Sequence, residues 1–248
     1  MSPIWIAADW GTTHLRVWAM GPEGAGEARQ SADGMAGLAP GDFAPALARL
    51  TEGWGEVPVI ACGMVGAREG WREAPYRPVP CTPLDPASSV TVGRVRILPG
   101  LSQAQPADVM RGEETLIAGL LADAPDFDGV LCFPGTHTKW VHVSAGEVVS
   151  FRTVMTGELF ALLAERSVLR HVVGEEIDWD AFEAAVGEGQ GAPGEVTARL
   201  FSLRARHLLE GPAPAAARAR LSGLLIGAEL TAVRPYWLGR RVVVAGGA

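Results

Sequence analysis

The chain has 248 residues, of which 48% are hydrophobic and 20% charged, values that are typical of a folded globular protein rather than a disordered or fibrous one. Its formal net charge of −7 and the absence of Lys/Arg runs argue against nucleic acid or an anionic lipid surface as the main partner, because phosphate backbones require clustered cations. A small molecule is the expected ligand, and it can be anionic, since backbone N–H groups and a few arginines can bind phosphate within an acidic protein.

The cysteines and the chain termini point to a protein of the cytoplasm. Cys62, Cys81 and Cys132 are widely spaced and lack the spacing of a zinc site, so we expect reduced, buried thiols. No stretch reaches the ~20 apolar residues of a membrane span, and no export signal is recognisable. The sequence does not fix the oligomeric state and leaves a homodimer open.

The first elements form an antiparallel meander. An apolar strand over 4–8 leads into the polar turn 9–13, and alternating residues over 15–19 and 27–31 predict two further strands. Apolar residues at helical spacing predict a helix over 42–54, with Asp42 as its cap. The β-branched strand 57–61 then runs into the glycine-rich segment 62–66.

Proline-rich loops follow over 71–106, with one strand predicted over 94–98. A helix is expected to start at 111–114, with carboxylates in its first turn where the helix dipole favours them.

The opening pattern then recurs, with an apolar strand over 130–133, a polar turn over 134–138 and strands over 139–143 and 147–151. This repetition predicts a duplicated α/β architecture of two lobes with a cleft between them, divided into residues 1–105 and 106–248. Helices are predicted over 157–170, 179–186, 195–209 and 216–237. A strand of buried type over 241–245 runs into Gly246 and Gly247.

The two polar turns carry the chemistry. In the first, Gly11, Thr12 and Thr13 let backbone N–H groups approach phosphate while Asp9 orients a hydrated Mg²⁺. An ordinary hairpin turn uses the same residue types, so this motif alone is ambiguous. The second turn has Gly135, Thr136, Thr138 and Lys139 after an apolar strand. Together, the turns are suited to hold the β- and γ-phosphates of a nucleotide.

The motifs along the whole chain resemble the 2-dehydro-3-deoxygalactonokinase family. The segments that carry the resemblance are 7–16, 62–66, 110–115, 134–140, 151–158 and 222–229. The resemblance implies the actin/hexokinase/Hsp70 fold, with mixed sheets and flanking helices in each lobe. It also implies Mg-ATP as the phosphoryl donor and transfer to the 6-hydroxyl of 2-dehydro-3-deoxy-D-galactonate, a step of galactonate catabolism.

A kinase of this kind needs a base for the acceptor hydroxyl, and Glu113 is the preferred candidate because an acidic residue follows glycine at the same place in the related glycerol kinases. Glu114 is the rival and Asp9 the third option; first-turn carboxylates that serve only the helix dipole are the structural alternative. Arg16 and Arg111 are candidates to bind the carboxylate of a 2-keto acid.

The remaining candidates surround these groups. Met64, Val65 and Gly66 are expected to form the loop on the sugar side, while Arg68, Trp71 and Tyr76 line it or serve as surface and packing residues. Gly246 and Gly247 resemble the loop on the adenosine side, and the small residues of 222–229 suggest a closely packed hinge helix. His137 and His142 are interpreted as structural.

The resemblance also shows a departure, since family members continue by a further helix, strand and helix where this chain ends at Ala248. We therefore expect a second lobe shortened at its C-terminus and weakened ATP affinity or lost activity. The alternatives are a kinase for another sugar or sugar acid, because the phosphate turns do not define the acceptor, and a non-catalytic relative that binds a sugar acid.

Overall fold

The computed structural model describes residues 3–246, in which strands and helices alternate along the chain. The strands are β1 (Trp5–Trp10), β2 (Leu15–Gly21), β3 (Gly24–Ser31), β4 (Val59–Gly63), β5 (Arg77–Pro78), β6 (Val90–Val92), β7 (Val95–Ile97), β8 (Leu101–Ala104), β9 (Ala107–Met110), β10 (Gly129–Phe133), β11 (Thr138–Ser144), β12 (Glu147–Val154) and β13 (Val242–Val244). The α-helices are α1 (Phe43–Leu50), α2 (Glu113–Asp123), α3 (Thr156–Arg166), α4 (Trp179–Gly191), α5 (Val196–Glu210), α6 (Pro214–Ala232) and α7 (Arg234–Trp237).

The described residues divide into two compact units. Unit 1 comprises Met1–Asp128 and Val143–Ser150, and unit 2 comprises Gly129–His142 and Phe151–Ala248. The lobe boundary at residues 105 and 106 stays a prediction, whereas residues 106–128, which the sequence assigns to the second lobe, pack within unit 1. Residues 3–246 contain no helix that is both long and apolar enough to cross a membrane.

The main sheet of unit 1 has the strand order β3-β2-β1-β4-β7-β6. The β1–β2 and β2–β3 pairs are antiparallel, as the predicted meander requires, while β4 runs parallel to β1 with Asp9 beside Cys62. Alternate residues of β1, including Ile6 and Trp10, are fully buried in a core that contains Phe43 of α1. The other face of β1 therefore carries Asp9.

The proline-rich segment contains more strands than the sequence predicts. Besides β7, which confirms the strand expected over 94–98, it holds β5, β6 and β8, and β8 joins β5 and β9 in a separate sheet of order β5-β8-β9. Strands of two to four residues are too short to show an alternating pattern, so they could not be recognised from periodicity.

The sheet of order β12-β11-β10-β13 contains the second strand-turn-strand pattern. β13 pairs in parallel with β10, with Val242 opposite Val130. The prediction that β13 is a buried strand is wrong, because Val242 and Val243 are half-buried and the side chain of Val244 is mostly exposed. β13 lies at the edge of this sheet, which accounts for its exposure.

Several helix predictions need correction at their ends. Asp42 does not cap α1 through its side chain, which instead accepts a hydrogen bond from the Ala39 N–H at 3.1 Å. The helix predicted over 216–237 is divided at Val233 into α6 and α7. Pro235 lies in the first turn of α7, where its missing N–H is tolerated, but it could not continue α6.

The cysteines also differ in part from the prediction. All three thiols are free, and Cys132 is buried, but Cys62 and Cys81 are only half-buried.

Candidate active site

Unit 1 contains a cavity of about 580 Å³ beside β1, β4 and the start of α2. Apolar side chains form most of its wall, and the polar side chains of five residues face the same space. The polar residues are Asp9, Cys62, Arg111, Glu113 and Thr115. Asp9, Arg111 and Glu113 were predicted as site residues from separate motifs, and the fold brings them to one cavity.

Asp9 lies one residue before the end of β1, between two neighbouring strands. Arg16 is its partner across the antiparallel β1–β2 pair, and the Arg16 Nη1 to Asp9 Oδ2 distance is 3.7 Å. Burial raises the pKa of Asp9, Arg16 lowers it, and the nearby Glu113 carboxylate raises it again. Asp9 and Glu113 are thus close enough to interact, an arrangement that favours binding of a proton or a cation.

The turn after β1 is fixed through its carbonyl groups. The Gly11 and Thr12 carbonyls accept hydrogen bonds from the N–H groups of Met35 and Ala36, both at 3.0 Å. The N–H groups of Thr12 and Thr13 make no hydrogen bond within the described chain. Their backbone donors are therefore free to meet a ligand, which is the property that the predicted phosphate-binding role requires.

Arg111 is held by contacts on several sides of its guanidinium group. Its Nη2 donates to the Ala74 carbonyl at 2.8 Å, and its Cζ lies 4.2 Å from the centre of the Tyr76 ring. A Cβ added at Gly66 would lie 2.8 Å from Nη1, so the glycine makes room for the guanidinium. Arg111 Nε and Nη1 are buried and have no hydrogen-bond partner in the described residues. A fixed, buried guanidinium with free donors is suited to bind a carboxylate or phosphate.

Glu113 and Glu114 begin α2 after Gly112, whose φ of 109° is in the region that favours glycine. Glu113 Oε2 accepts a hydrogen bond from the Arg111 N–H at 3.1 Å, and Glu114 Oε2 accepts one from the Gly112 N–H at 2.7 Å. Glu113 lines the cavity, whereas Glu114 is 0% exposed and does not line it. Burial raises the pKa of Glu114 to about 8.

The predicted sugar-side loop lies next to this group. Met64–Gly66 form a 3-10 turn in which Val65 and Gly66 are buried, and Gly66 contacts Arg111 as described above. Trp71 packs in the core, 6.0 Å from the Trp10 ring, and is a packing residue.

The side chain of Arg16 is about half exposed on β2 and does not line the cavity.

The second polar turn, in unit 2, is fixed by the loop that leads into α3. A Cβ at Gly157 would lie 2.3 Å from the Gly135 carbonyl oxygen, so only glycine allows this approach. The Glu158 N–H donates to the Thr136 carbonyl at 2.9 Å, and the Glu158 carboxylate bonds His137 Nε2 at 2.6 Å. Gly135 and Thr136 are exposed, as a ligand-binding turn requires.

Thr138 and Lys139 at the end of this turn are both buried, and the Lys139 ammonium donates to the His137 carbonyl at 3.3 Å. Gly135 and Thr138 line a cavity of about 410 Å³ in unit 2, together with Val244 of β13 and Glu229 of α6. Buried Trp140 donates its indole N–H to Glu229 at 2.7 Å. Gly246 is exposed after β13, and Gly247 lies outside the described residues.

Two groups that shape these sites, Gly157 and the Ala74 carbonyl, were not predicted as site residues from the sequence. Gly157 was only part of a matched motif, although the presence of glycine at a helix start is itself a sign of a close backbone contact. The Ala74 carbonyl leaves no sign in the sequence, because any residue supplies a carbonyl group.

The mixed sheets, the flanking helices and the cavity beside β1 and α2 define an α/β protein with a cavity that polar side chains face, and the α/β class is as predicted. The model of the 2-keto-3-deoxy-galactonokinase family matches residues 9–248. The chain therefore belongs to this family, and the resemblance noted from its motifs is confirmed.

Curated relatives and a solved structure agree with this membership. The chain is 42% identical to the probable 2-dehydro-3-deoxygalactonokinase DgoK1 of Rhizobium meliloti, over 91% of this chain and 79% of the relative. It is 40% identical to the 2-dehydro-3-deoxygalactonokinase of Escherichia coli, over 95% of this chain and 82% of the relative. A crystal structure of a candidate 2-dehydro-3-deoxygalactonokinase from Sinorhizobium meliloti matches with a TM-score of 0.88 and 36% identity, covering 98% of this chain and 86% of that one.

Proposed function

We propose that the protein transfers the γ-phosphoryl group of ATP to the 6-hydroxyl of 2-dehydro-3-deoxy-D-galactonate. The names of the curated relatives support the acceptor, and family membership supports the reaction class. The observation that carries the proposal is the buried Arg111 guanidinium, with two free nitrogens, in the same cavity as Asp9 and Glu113.

Arg111 binds the carboxylate of the sugar acid in this proposal. A 2-keto acid presents a carboxylate anion whose oxygens can accept hydrogen bonds from the unpaired Nε and Nη1 donors of the guanidinium. An uncharged sugar would leave these buried donors without partners, a penalty of about 1–3 kcal/mol for an unpaired buried group, so the site favours an acid.

Glu113 acts as the general base. Its carboxylate takes the proton of the acceptor hydroxyl while the oxygen of that hydroxyl bonds to the γ-phosphorus. The bond between the γ-phosphorus and the β,γ-bridging oxygen breaks, and ADP is the leaving group. Asp9, next to Glu113, keeps the role of orienting the metal ion.

Each glycine-threonine turn keeps its predicted role as a phosphate-binding turn, the first because the N–H groups of Thr12 and Thr13 are free and the second because Gly135 and Thr136 are exposed. Within residues 3–246, no group of three or more acidic, histidine or cysteine side chains is suited to hold a metal ion. In this proposal Mg²⁺ enters as part of the Mg-ATP substrate, and the carboxylate of Asp9 contacts its water shell.

An acceptor panel with coupled detection of ADP tests the proposal. Wild-type protein is expected to turn over 2-dehydro-3-deoxy-D-galactonate in preference to its C4 stereoisomer, to galactonate and to neutral sugars. Glu113→Gln should lower kcat by ~100-fold with little change in the acceptor KM. Arg111→Lys should raise the acceptor KM by about tenfold and leave the ATP KM nearly unchanged, because the lysine ammonium lacks the fixed planar set of donors that the guanidinium presents.

Arg49→Lys is the matched control, since it makes the same change at an exposed arginine of α1 and should leave both constants at the wild-type values. ADP release with no acceptor of the panel, despite sugar-acid binding, would overturn the kinase assignment. Near-normal turnover by Glu113→Gln would move the base role to Asp9.

A further inference from the structure

A separate cavity of about 290 Å³ lies in unit 2 between the end of α5 and the start of α6. We call it the α5–α6 cavity. Leu203, which belongs to the helical core, forms part of its wall. The residues that line it are Leu203, Arg206, His207, Glu210, Gly211, Pro212, Ala213, Ala216, Ala217 and Arg220. None of these residues has a role in the proposed kinase reaction.

Basic side chains converge on this cavity from two helices. Arg206 and His207 belong to α5, Arg220 belongs to α6, and Glu210 is the acidic residue of the wall. Arg206 makes no ion pair within the described residues. Its charge is therefore available to a ligand.

Arg220 is held in place by Glu188, a residue that does not line the cavity. Its Nη2 donates to both carboxylate oxygens of Glu188, at 3.0 and 2.8 Å, and Arg199 donates to the same carboxylate at 3.1 Å. These two arginines hold the pKa of Glu188 below its usual range, so the carboxylate stays ionised and keeps Arg220 in position.

Two buried nitrogens of the wall residues have no hydrogen-bond partner in the described chain: His207 Nδ1 and Arg220 Nε. Buried polar atoms in folded proteins are nearly always paired, so each unpaired atom requires an explanation. Arginine nitrogens can only donate, and an imidazole nitrogen can donate as well. A ligand with several acceptor oxygens would pair both atoms.

We propose that the α5–α6 cavity binds the phosphate group of a small anion through Arg206, His207 and Arg220. Phosphate suits the site better than a carboxylate, because the donors come from separate positions on two helices and a tetrahedral oxyanion can meet them in different directions. The volume admits inorganic phosphate or a small phosphate monoester. This site is independent of the proposed kinase function.

The test follows the imidazole signals of His207 by NMR in the full chain during titration with inorganic phosphate, with chloride keeping the ionic strength constant. His207→Gln assigns the signals among the five histidines of the sequence. A saturable shift of the His207 signals is expected. Arg206→Gln should weaken this binding by about tenfold, the effect of losing one charge-assisted hydrogen bond.

Arg204→Gln is the matched control, because it removes the same charge from α5 at a residue that does not line the cavity. Its titration should match the wild type. A linear, unsaturated shift, or equal weakening by both variants, would overturn the proposal, since either result indicates only general charge screening.

A second titration with glycerol phosphate separates the two sources of the anion. Tighter binding than inorganic phosphate assigns the site to phosphate monoesters, and weaker binding assigns it to free phosphate. Arg206 is exposed, so loss of folding is not expected, and circular dichroism of each variant checks this.

Discussion

At the scale of single residues, Glu113 and Glu114 show how adjacent carboxylates acquire different chemistry. Successive residues on a helix point about 100° apart, so one side chain faces the cavity while the next enters the interior. The buried Glu114, with a pKa raised to about 8, is mostly protonated at neutral pH, and it holds the Gly112 N–H rather than a ligand. The base role therefore falls to Glu113, which lines the cavity.

The raised pKa of Glu114 predicts a pH dependence of stability. In the unfolded chain the carboxyl group loses its proton near pH 4.5, but in the folded protein it keeps the proton up to about pH 8. Between these values the folded state binds more protons, so the free energy of unfolding should fall as pH rises, by at most about 1.4 kcal/mol per pH unit. Above pH 8 this contribution should level off.

Glu114→Gln removes the ionisation but keeps an oxygen to accept the Gly112 N–H. Urea denaturation from pH 5 to pH 9 should show a clearly smaller decline in this variant than in the wild type. Glu69→Gln, which changes an exposed carboxylate of the same unit, should retain the wild-type decline. Equal declines in the wild type and Glu114→Gln would show that Glu114 ionises normally.

The sequence was sufficient to propose Asp9, Arg111 and Glu113, because each lies in a motif with a chemical reason for its residue types. Helical spacing alone could not separate Glu113 from Glu114, because it shows that the two side chains point in different directions but not which of them points into the protein. The preference for Glu113 came from the resemblance to the glycerol kinases. Which side chain points inward depends on the packing of α2, which forms through contacts distant in sequence. The contacts of Arg111 with Ala74 and Tyr76 could not be predicted for the same reason.

At the scale of elements, the strand-turn-strand repeats were predictable because the apolar runs of β1 and β10 and the alternating residues of β2 and β11 reflect burial on one or both faces of a sheet. The packing of α4 against α6 was only partly predictable from the sequence. The small residues of α6 suggested close helix packing, and the structure identifies the partner as α4. A Cβ at Gly227 would lie 2.3 Å from the Val186 carbonyl oxygen and 2.8 Å from the Gln190 nitrogen.

We therefore expect Gly227→Ala to force α4 and α6 apart. The atoms in the way belong to the backbone and cannot rotate aside, so the free energy of unfolding should fall by about 1–3 kcal/mol, the usual cost of overpacking a core. Urea denaturation followed by far-UV circular dichroism, to which the helices of unit 2 contribute strongly, measures the change.

Gly187→Ala on α4 is the control, because an added Cβ there meets nothing within 4 Å. Alanine is the better helix former, so this variant should be as stable as the wild type or up to about 1 kcal/mol more stable. A loss of stability in Gly187→Ala as large as that in Gly227→Ala would mean that the contact of Gly227 with α4 is not the cause.

At the scale of the whole molecule, each compact unit contains its own cavity and its own glycine-threonine turn. The acceptor groups Arg111 and Glu113 belong to unit 1, while the turn at Gly135 and the cavity at Glu229 belong to unit 2. The function proposed above assigns the acceptor to the start of α2 and the nucleotide phosphates to the turns at 9–14 and 133–139, so binding of each substrate can be followed in different segments of the chain.

Hydrogen exchange measured by mass spectrometry should separate the two ligands. A non-hydrolysable ATP analogue should slow exchange in peptides that cover 9–14 and 133–139, most clearly at Thr12 and Thr13, whose N–H groups are without hydrogen bonds in the free protein. The sugar acid alone should slow exchange over 109–116, because it pairs Arg111 and orders the start of α2. Protection by the sugar acid confined to 133–139 would contradict the assignment of the acceptor to unit 1, and an ATP analogue that protects neither turn would contradict their role in binding phosphate.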